Sequence, residues 1–221
     1  PDDRANFTAL LQALREANPP PFQLSFAAGG YTAYIDSAIQ WTAIRPYTDF
    51  INIMSYDLVH GYSKVSGHHT PLYSTPQQIE STDHAVKRLL AKGVPARMLV
   101  IGAAFYGRYF AIDSARPVDL YQACRFDHSF SYRHAKDSLS PAAGFQPYWD
   151  TLAQAPYALH PQRRLLATYD DERSVALKTN YALNHGLGGI MFWQLVDDTP
   201  RHGLLHTIYQ TVTNAPTRRT R

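Results

Sequence analysis

The chain has 221 residues, of which 45% are hydrophobic, 13% aromatic and 18% charged, a balance that excludes disordered, collagen-like and coiled-coil classes. No run approaches the roughly 18–20 uninterrupted apolar residues of a membrane span; the formal charge of +3 is matched by Arg218, Arg219 and Arg221 alone, in a tail expected to be frayed, and no basic stripe suited to nucleic acid lies elsewhere. The single cysteine, Cys124, excludes an internal disulfide and any cysteine-based metal site.

Residues 3–17 are expected to form a helix, with Phe7, Leu10, Leu11, Leu14 and Ala17 on one face. Asn18 and the three prolines after it stop that helix. An apolar run over 22–28 reads as a buried strand, 34–44 as a second helix ending before Pro46, and 50–56 as a strand. Thr75-Pro76-Gln77-Gln78 has the composition of a helix start, predicting a helix to about Lys92 with Gly93 at its end. Residues 98–105 form an almost wholly apolar strand. From 109 to 160 no period is sustained, and this stretch is read as an inserted subdomain. Regularity returns with a strand at 165–169, a helix at 175–184, a strand at 189–195 and a last helix at 204–212.

Strands alternate with helices, and the main strands read as apolar on both faces. That pattern specifies an α/β fold with a parallel sheet covered by helices. No G-x-G-x-x-G loop follows any strand, which disfavours a dinucleotide-binding sheet relative to a (β/α) barrel. In a barrel the working residues sit at the C-terminal ends of the strands. Those ends present Met54, Tyr56 and Asp57, then Tyr106 and Arg108, then Trp193 and Gln194. Aromatic faces beside polar groups suit a sugar, which stacks on rings and bonds through hydroxyls and amides. Each residue also has a structural alternative: a lone Tyr or Trp packs in a core more often than it binds a ligand, and Asp57 could cap a loop or pair with Arg108. The acidic stretch Tyr169-Asp170-Asp171-Glu172 precedes a helix and fits a role at its N-terminus. No H-E-x-x-H occurs and no metal site is expected; composition leaves a Ser–His–Asp triad open, but its G-x-S-x-G elbow is absent.

The chain resembles the family 18 glycoside hydrolases, the chitinase family. The resemblance is carried by Asn52-Ile53-Met54-Ser55-Tyr56-Asp57, by 67–73 (GHHTPLY), by 102–108 (GAAFYGR), by Trp149-Asp150 with Ala155-Pro156-Tyr157, by Tyr169-Asp170-Asp171 with Ser174 and Lys178, and by 186–193 (GLGGIMFW). These segments keep the family's order and cover nearly the whole chain. The resemblance implies an α/β fold, a (β/α)8 TIM barrel of which this chain holds strands five to eight, with an α+β insertion after strand seven. The expected units are 1–108 with 161–221 as partial barrel, and 109–160 as the insertion, which deepens the cleft. It implies hydrolysis of β-1,4-linked N-acetylglucosamine polymers by a retaining, substrate-assisted route. Tyr56 and Asp57 would be catalytic, Tyr56 holding the acetamido oxygen and Asp57 bonding the sugar at the cleavage point. Met54, Tyr106, Arg108, Trp193 and Gln194 would bind substrate, with Trp193 as the floor under the sugar. No cofactor is implied, the partner is chitin or an N-acetylglucosamine oligosaccharide, and the location is extracellular.

One departure stands out. The family's proton donor ends the pattern D-x-x-D-x-D-x-E, and none of Glu16, Glu80 and Glu172 ends it. The segment from Pro1 to Phe7 resembles the start of the helix directly after that motif, so the donor is expected upstream of Pro1, in the N-terminal half of the same barrel. Alone, the chain is expected to be inactive, because losing a general acid costs about 10²–10⁴-fold. Two open strand edges, at 22–28 and 189–195, are expected to favour association. The alternatives are a chitinase-like protein that binds without cutting, a hydrolase of peptidoglycan or N-glycans, and a barrel with unrelated chemistry.

Overall fold

A computed structural model describes residues 3–113 and 115–215, apart from the side chain of Lys136; the arginine tail and the first two residues lie outside them. In chain order the helices are α1 (Arg4–Ala17), α2 (Thr32–Ser37), α3 (Trp41–Ile44), α4 (Thr82–Ala91), α5 (Tyr132–Ser138), α6 (Glu172–Asn184) and α7 (Leu204–Thr213). The strands are β1 (Ser25–Gly29), β2 (Phe50–Met54), β3 (Leu99–Ala104), β4 (Tyr106–Ile112), β5 (Cys124–Ser131), β6 (Gln146–Asp150), β7 (Ala155–His160), β8 (Leu165–Thr168) and β9 (Gly189–Trp193).

Two sheets result. The first is parallel throughout, in the order β1-β2-β3-β9. It is an open sheet: among the described residues β1 and β9 each pair on one side only. The second is antiparallel, in the order β5-β4-β8-β7-β6. Its strands run from Tyr106 to Thr168 and so take in residues on both sides of the irregular stretch 109–160. Tyr106 to Arg108 therefore open the antiparallel sheet instead of ending a barrel strand. Residues 165–168 pair with β4 and β7, not with the parallel sheet.

The main core lies between the parallel sheet and its helices. Ile51, Ile53, Leu99 and Ile101 pack there against Ile35, Trp41, Ile44 and Leu89. The strands differ in how far both faces are sealed: β3 is apolar throughout and buried at every position except Val100, whereas β9, also apolar, is only partly buried. In β2 burial alternates strictly, with Ile51 and Ile53 fully buried and Phe50, Asn52 and Met54 half-buried. The period-2 geometry sends alternate side chains to opposite faces, and in β2 only the helix-covered face is sealed. A second core, built around Phe105, Tyr109, Tyr132 and Val175, joins the two sheets.

Local departures from the sequence reading have identifiable causes. The helix expected over 34–44 is two short ones, because the chain bends to bury both Ile39 and Trp41, whose indole donates to the Ile35 carbonyl at 2.6 Å. The helix expected from Thr75 starts at Thr82, capped by Ser81, whose hydroxyl accepts the His84 amide. Thr75 and Gln78 close a turn instead, and the Gln78 side chain bonds both the amide and the carbonyl of His68. Helix α6 begins at Glu172, earlier than the apolar period suggests, because Asp171 and Ser174 form a reciprocal capping box. On α1 only Leu11 is buried, while Leu10 and Leu14 are exposed. No helix among the described residues is long and apolar enough to cross a membrane.

Candidate active site

The site is built where β2, β4 and β9 meet. Beyond Ile53 the chain leaves its pairing with β3, and the Ser55 hydroxyl takes over the ladder: it donates to the Gly102 carbonyl and accepts the Gly102 amide, both at 3.0 Å. This turns Tyr56 and Asp57 out of the sheet. Gly102 also makes room for the tyrosine, since a Cβ there would lie 2.7 Å from the Tyr56 ring and 2.8 Å from the Ile53 carbonyl. Backbone cannot step aside as a flexible side chain can. Gly102→Ala is therefore expected to lower stability by about 1–3 kcal/mol, read as a drop in the denaturant midpoint.

Asp57 has φ of 57°, a left-handed conformation that aspartate adopts more readily than most residues. It is held there from three sides. The Tyr106 hydroxyl donates to its Oδ1 at 2.7 Å and the Arg108 Nε at 2.6 Å, while the His69 Nδ1 stands 3.6 Å away. Burial alone would raise the Asp57 pKa, but His69, Arg108 and Tyr106 together outweigh it and hold the carboxyl well below the usual range. Full burial pushes the His69 pKa down, against the pull of Asp57. The Tyr106 hydroxyl is pushed up, by burial first and then by the Asp57 charge.

Asp57, Tyr106, Arg108, Phe130, Ser131, Trp193 and Asp197 are among the residues lining an open cleft of about 320 Å³. Trp193 ends β9 with 57% of its surface exposed. Phe130 lies against Gly107, where a Cβ would fall 2.1 Å from the ring. Tyr56 sits behind this wall, edge-on to Tyr106 with ring centroids 6.0 Å apart. Its hydroxyl has only the Met191 sulfur, at 4.0 Å, for a partner among the described residues. Burial, then the Asp57 charge, pushes the Tyr56 pKa up to about 12.

Of the residues singled out in the sequence, Asp57, Tyr106, Arg108 and Trp193 share the cleft, and Tyr56 adjoins it through Tyr106. Met54 and Gln194 do not line it: Met54 ends β2 with its carbonyl against Gly30, and Gln194 is exposed, its carbonyl accepting the Asp197 amide. The pairing of Asp57 with Arg108, one of the open alternatives, is present. Ser129, Phe130, Ser131 and Asp197 in the lining, and His69 behind Asp57, escaped the sequence reading. His69 lies inside a family segment but looks like an ordinary loop histidine, and Ser131 and Asp197 meet across 66 residues of chain. Among the described residues no three His, Cys, Asp or Glu side chains converge as metal ligands would.

The acidic stretch before α6 has a structural role. Asp171 caps the helix, and Asp170 is fully buried against Lys178. A second acid–base contact, His68 Nε2 to Asp150 Oδ2 at 3.1 Å, ties the 58–81 loop to the antiparallel sheet. The His68 hydrogen bond overcomes burial and, with the Ala153 and Leu152 amides, brings the Asp150 pKa down to about 2. A carboxylate whose folded pKa is depressed stabilises the fold above its unfolded pKa, and that contribution is lost as pH falls through the folded value. The melting temperature is therefore expected to drop between about pH 4 and pH 2, and less steeply in Asp150→Asn, as thermal unfolding followed by circular dichroism would show.

The family model for glycosyl hydrolases family 18 matches residues 1–198. Chitinase A1 of Niallia circulans is 30% identical over 222 aligned positions, covering 90% of this chain and 32% of that protein. A family 18 N-acetylglucosaminidase from Paenibacillus barengoltzii superposes with a TM-score of 0.86 at 34% identity, over 95% of this chain and 64% of that one. Chitinase ChiA74 from Bacillus thuringiensis superposes with a TM-score of 0.89 at 27% identity, over 99% of this chain and 41% of that one. The chain thus spans a third to two thirds of these relatives. With a family model matched over most of its length and the same fold in the solved relatives, this chain belongs to glycosyl hydrolases family 18.

Proposed function

We propose that the cleft holds a β-1,4-linked N-acetylglucosamine chain, as in chitin, and that this protein forms the substrate-holding part of a retaining, substrate-assisted chitin hydrolase acting outside the cell. The observation that carries the reading is the convergence of an exposed indole, Trp193, with the Asp57–Tyr106–Arg108 constellation in one cleft beside the C-terminal ends of parallel strands. The indole offers an apolar face for a pyranose ring. Tyr56, with its pKa pushed up to about 12, stays protonated at physiological pH and is free to donate to the acetamido oxygen, aligning it for attack on the anomeric carbon. Asp57, kept ionised by its partners, accepts a hydrogen bond from the sugar and stabilises positive charge as it develops.

The proton for the leaving oxygen must come from elsewhere. Glu16, Glu80 and Glu172 are all absent from the cleft lining. Glu16 accepts from Gln12 on α1, and Glu80 accepts the Thr32 amide. The reading assigns the acid to a complementary barrel half that pairs with the open edges of β1 and β9. The same observation favours a second reading, a protein that binds the polymer without cutting it.

The test is to titrate the chain with an N-acetylglucosamine oligomer by calorimetry, then to add the complementary half and assay for shorter products. Binding that weakens roughly tenfold in Trp193→Ala, together with turnover on reconstitution, supports the hydrolase. Binding without products supports the second reading, and no binding by the chain or by the reconstituted pair sinks both.

A further inference from the structure

Asp57 uses one of its two carboxylate oxygens inside the chain. The Tyr106 hydroxyl and the Arg108 Nε both donate to Oδ1, and no donor among the described residues reaches Oδ2. Oδ2 is therefore the oxygen left for a ligand, and its aim depends on how firmly Oδ1 is held. Behind Oδ1 stands His69, whose side chain is 0% exposed. Its backbone is fixed on both sides: the amide donates to the Thr168 Oγ1 at 3.0 Å, and the carbonyl accepts the amide of Leu58, the residue after Asp57, at 2.9 Å. Its ring lies against that of Tyr106, with centroids 5.3 Å apart. Yet neither ring nitrogen has a hydrogen-bond partner among the described residues. Buried polar atoms are seldom left so, because the cost of removing them from water is then unrecovered. The one carboxylate that the ring approaches to ion-pair distance is Asp57, whose Oδ1 lies 3.6 Å from Nδ1.

Hydrogen bonds in an empty active site are often long and tighten when a ligand binds. A neutral imidazole carries one N–H, and the partners its two nitrogens meet decide which of them holds the proton. Here Nδ1 faces a carboxylate and Nε2 has no partner, so the proton belongs on Nδ1. We infer that His69 is a positioning residue: its Nδ1–H closes on Asp57 Oδ1 when a sugar engages Oδ2, completing a set of three donors that fixes the carboxylate. The other charged groups near the ring are committed elsewhere, Arg108 to Asp57 and Asp170 to Lys178. The inference rests on the proposed function, because the sugar it invokes is a unit of the N-acetylglucosamine chain.

Calorimetric titration of the full chain with an N-acetylglucosamine oligomer tests it, using two substitutions of different chemistry. His69→Asn keeps a donor near the position of Nδ1, whereas His69→Leu fills the site with carbon. Binding is expected to weaken roughly tenfold in His69→Leu and no more than about threefold in His69→Asn. Thermal unfolding should nevertheless rank the leucine variant at least as stable as the asparagine one, since it leaves no buried polar group to satisfy. A packing role alone would make affinity follow stability. On the unmodified chain, which needs no variant to fold, nitrogen NMR should show His69 protonated at Nδ1, with that proton moving downfield when the oligomer is added. Unchanged affinity in His69→Leu, an equal loss in both variants, or a proton on Nε2 overturns the inference and leaves the proposed function standing. An unmodified chain that binds no oligomer overturns the cleft reading, and the inference with it.

Discussion

Lys178→Ala is expected to cost about 3–5 kcal/mol of folding stability, a large share of the roughly 5–15 kcal/mol that holds an ordinary domain together. The Lys178 ammonium is completely buried on α6. It donates to both Asp170 oxygens at 2.8 and 2.7 Å and to the Thr70 carbonyl and hydroxyl at 2.8 and 2.6 Å. Asp170 also accepts the Ala104 amide, at the end of β3, and the Ser174 hydroxyl. Four separate segments thus meet on one ion pair, two of which, β3 and the 58–81 loop, lead into the cleft. Removing the lysine leaves a buried carboxylate with no counter-charge, and desolvation makes that penalty far larger than the net worth of the intact pair. Guanidinium denaturation of wild type, Lys178→Ala and the double variant Lys178→Ala/Asp170→Ala would check it. The double variant should be less damaged than the sum of its parts, because it carries no stranded charge. A single-variant loss below about 1 kcal/mol would mean that the surrounding groups, or entering water, can replace the lysine.

The second large effect concerns the cleft. Asp57→Ala is expected to weaken binding of N-acetylglucosamine oligomers by about 10²-fold, the equivalent of roughly 2–3 kcal/mol. Its stability cost should be smaller than that of Lys178→Ala, because the Asp57 side chain is 38% exposed and water screens what is left behind. Two donors, the Tyr106 hydroxyl and the Arg108 guanidinium, lose their shared acceptor and are free to turn away from the cleft. A double-mutant cycle with Arg108→Ala isolates the pair: a coupling on the order of 1–3 kcal/mol in binding free energy is expected. Additive effects would show that the two residues act on the ligand independently.

Several elements are legible in the sequence because their determinants are local. The apolar spacing of α1, the apolar runs that form β2, β3 and β9, and the prolines after Asn18 all act within a few residues of where their effect appears. The family segments are legible for a related reason, since each is a short run carried by one strand or loop. The false helix start at Thr75 shows the limit of such windows. Its residues satisfy every local rule for a cap, but Gln78 finds a better use ten residues away, bonding both backbone groups of His68. A side chain spent on a distant loop is not available to a helix.

The sequence by itself determined the family, the strands of the parallel sheet, and the aromatic and charged residues singled out as site candidates. Only the tertiary structure decided which of them meet. It sent Tyr106 and Arg108 into the first strand of the antiparallel sheet and aimed both at Asp57, across 49 and 51 residues. It left Met54 and Gln194 outside the cleft, set the buried His69 behind Asp57 and brought Phe130, Ser131 and Asp197 into the lining. The physical reason is that side-chain hydrogen bonds and ion pairs depend on positions in space to within a few tenths of an ångström. Those positions are set by how the two sheets pack through Phe105 and its neighbours, a property of the assembled core that no local stretch of sequence contains.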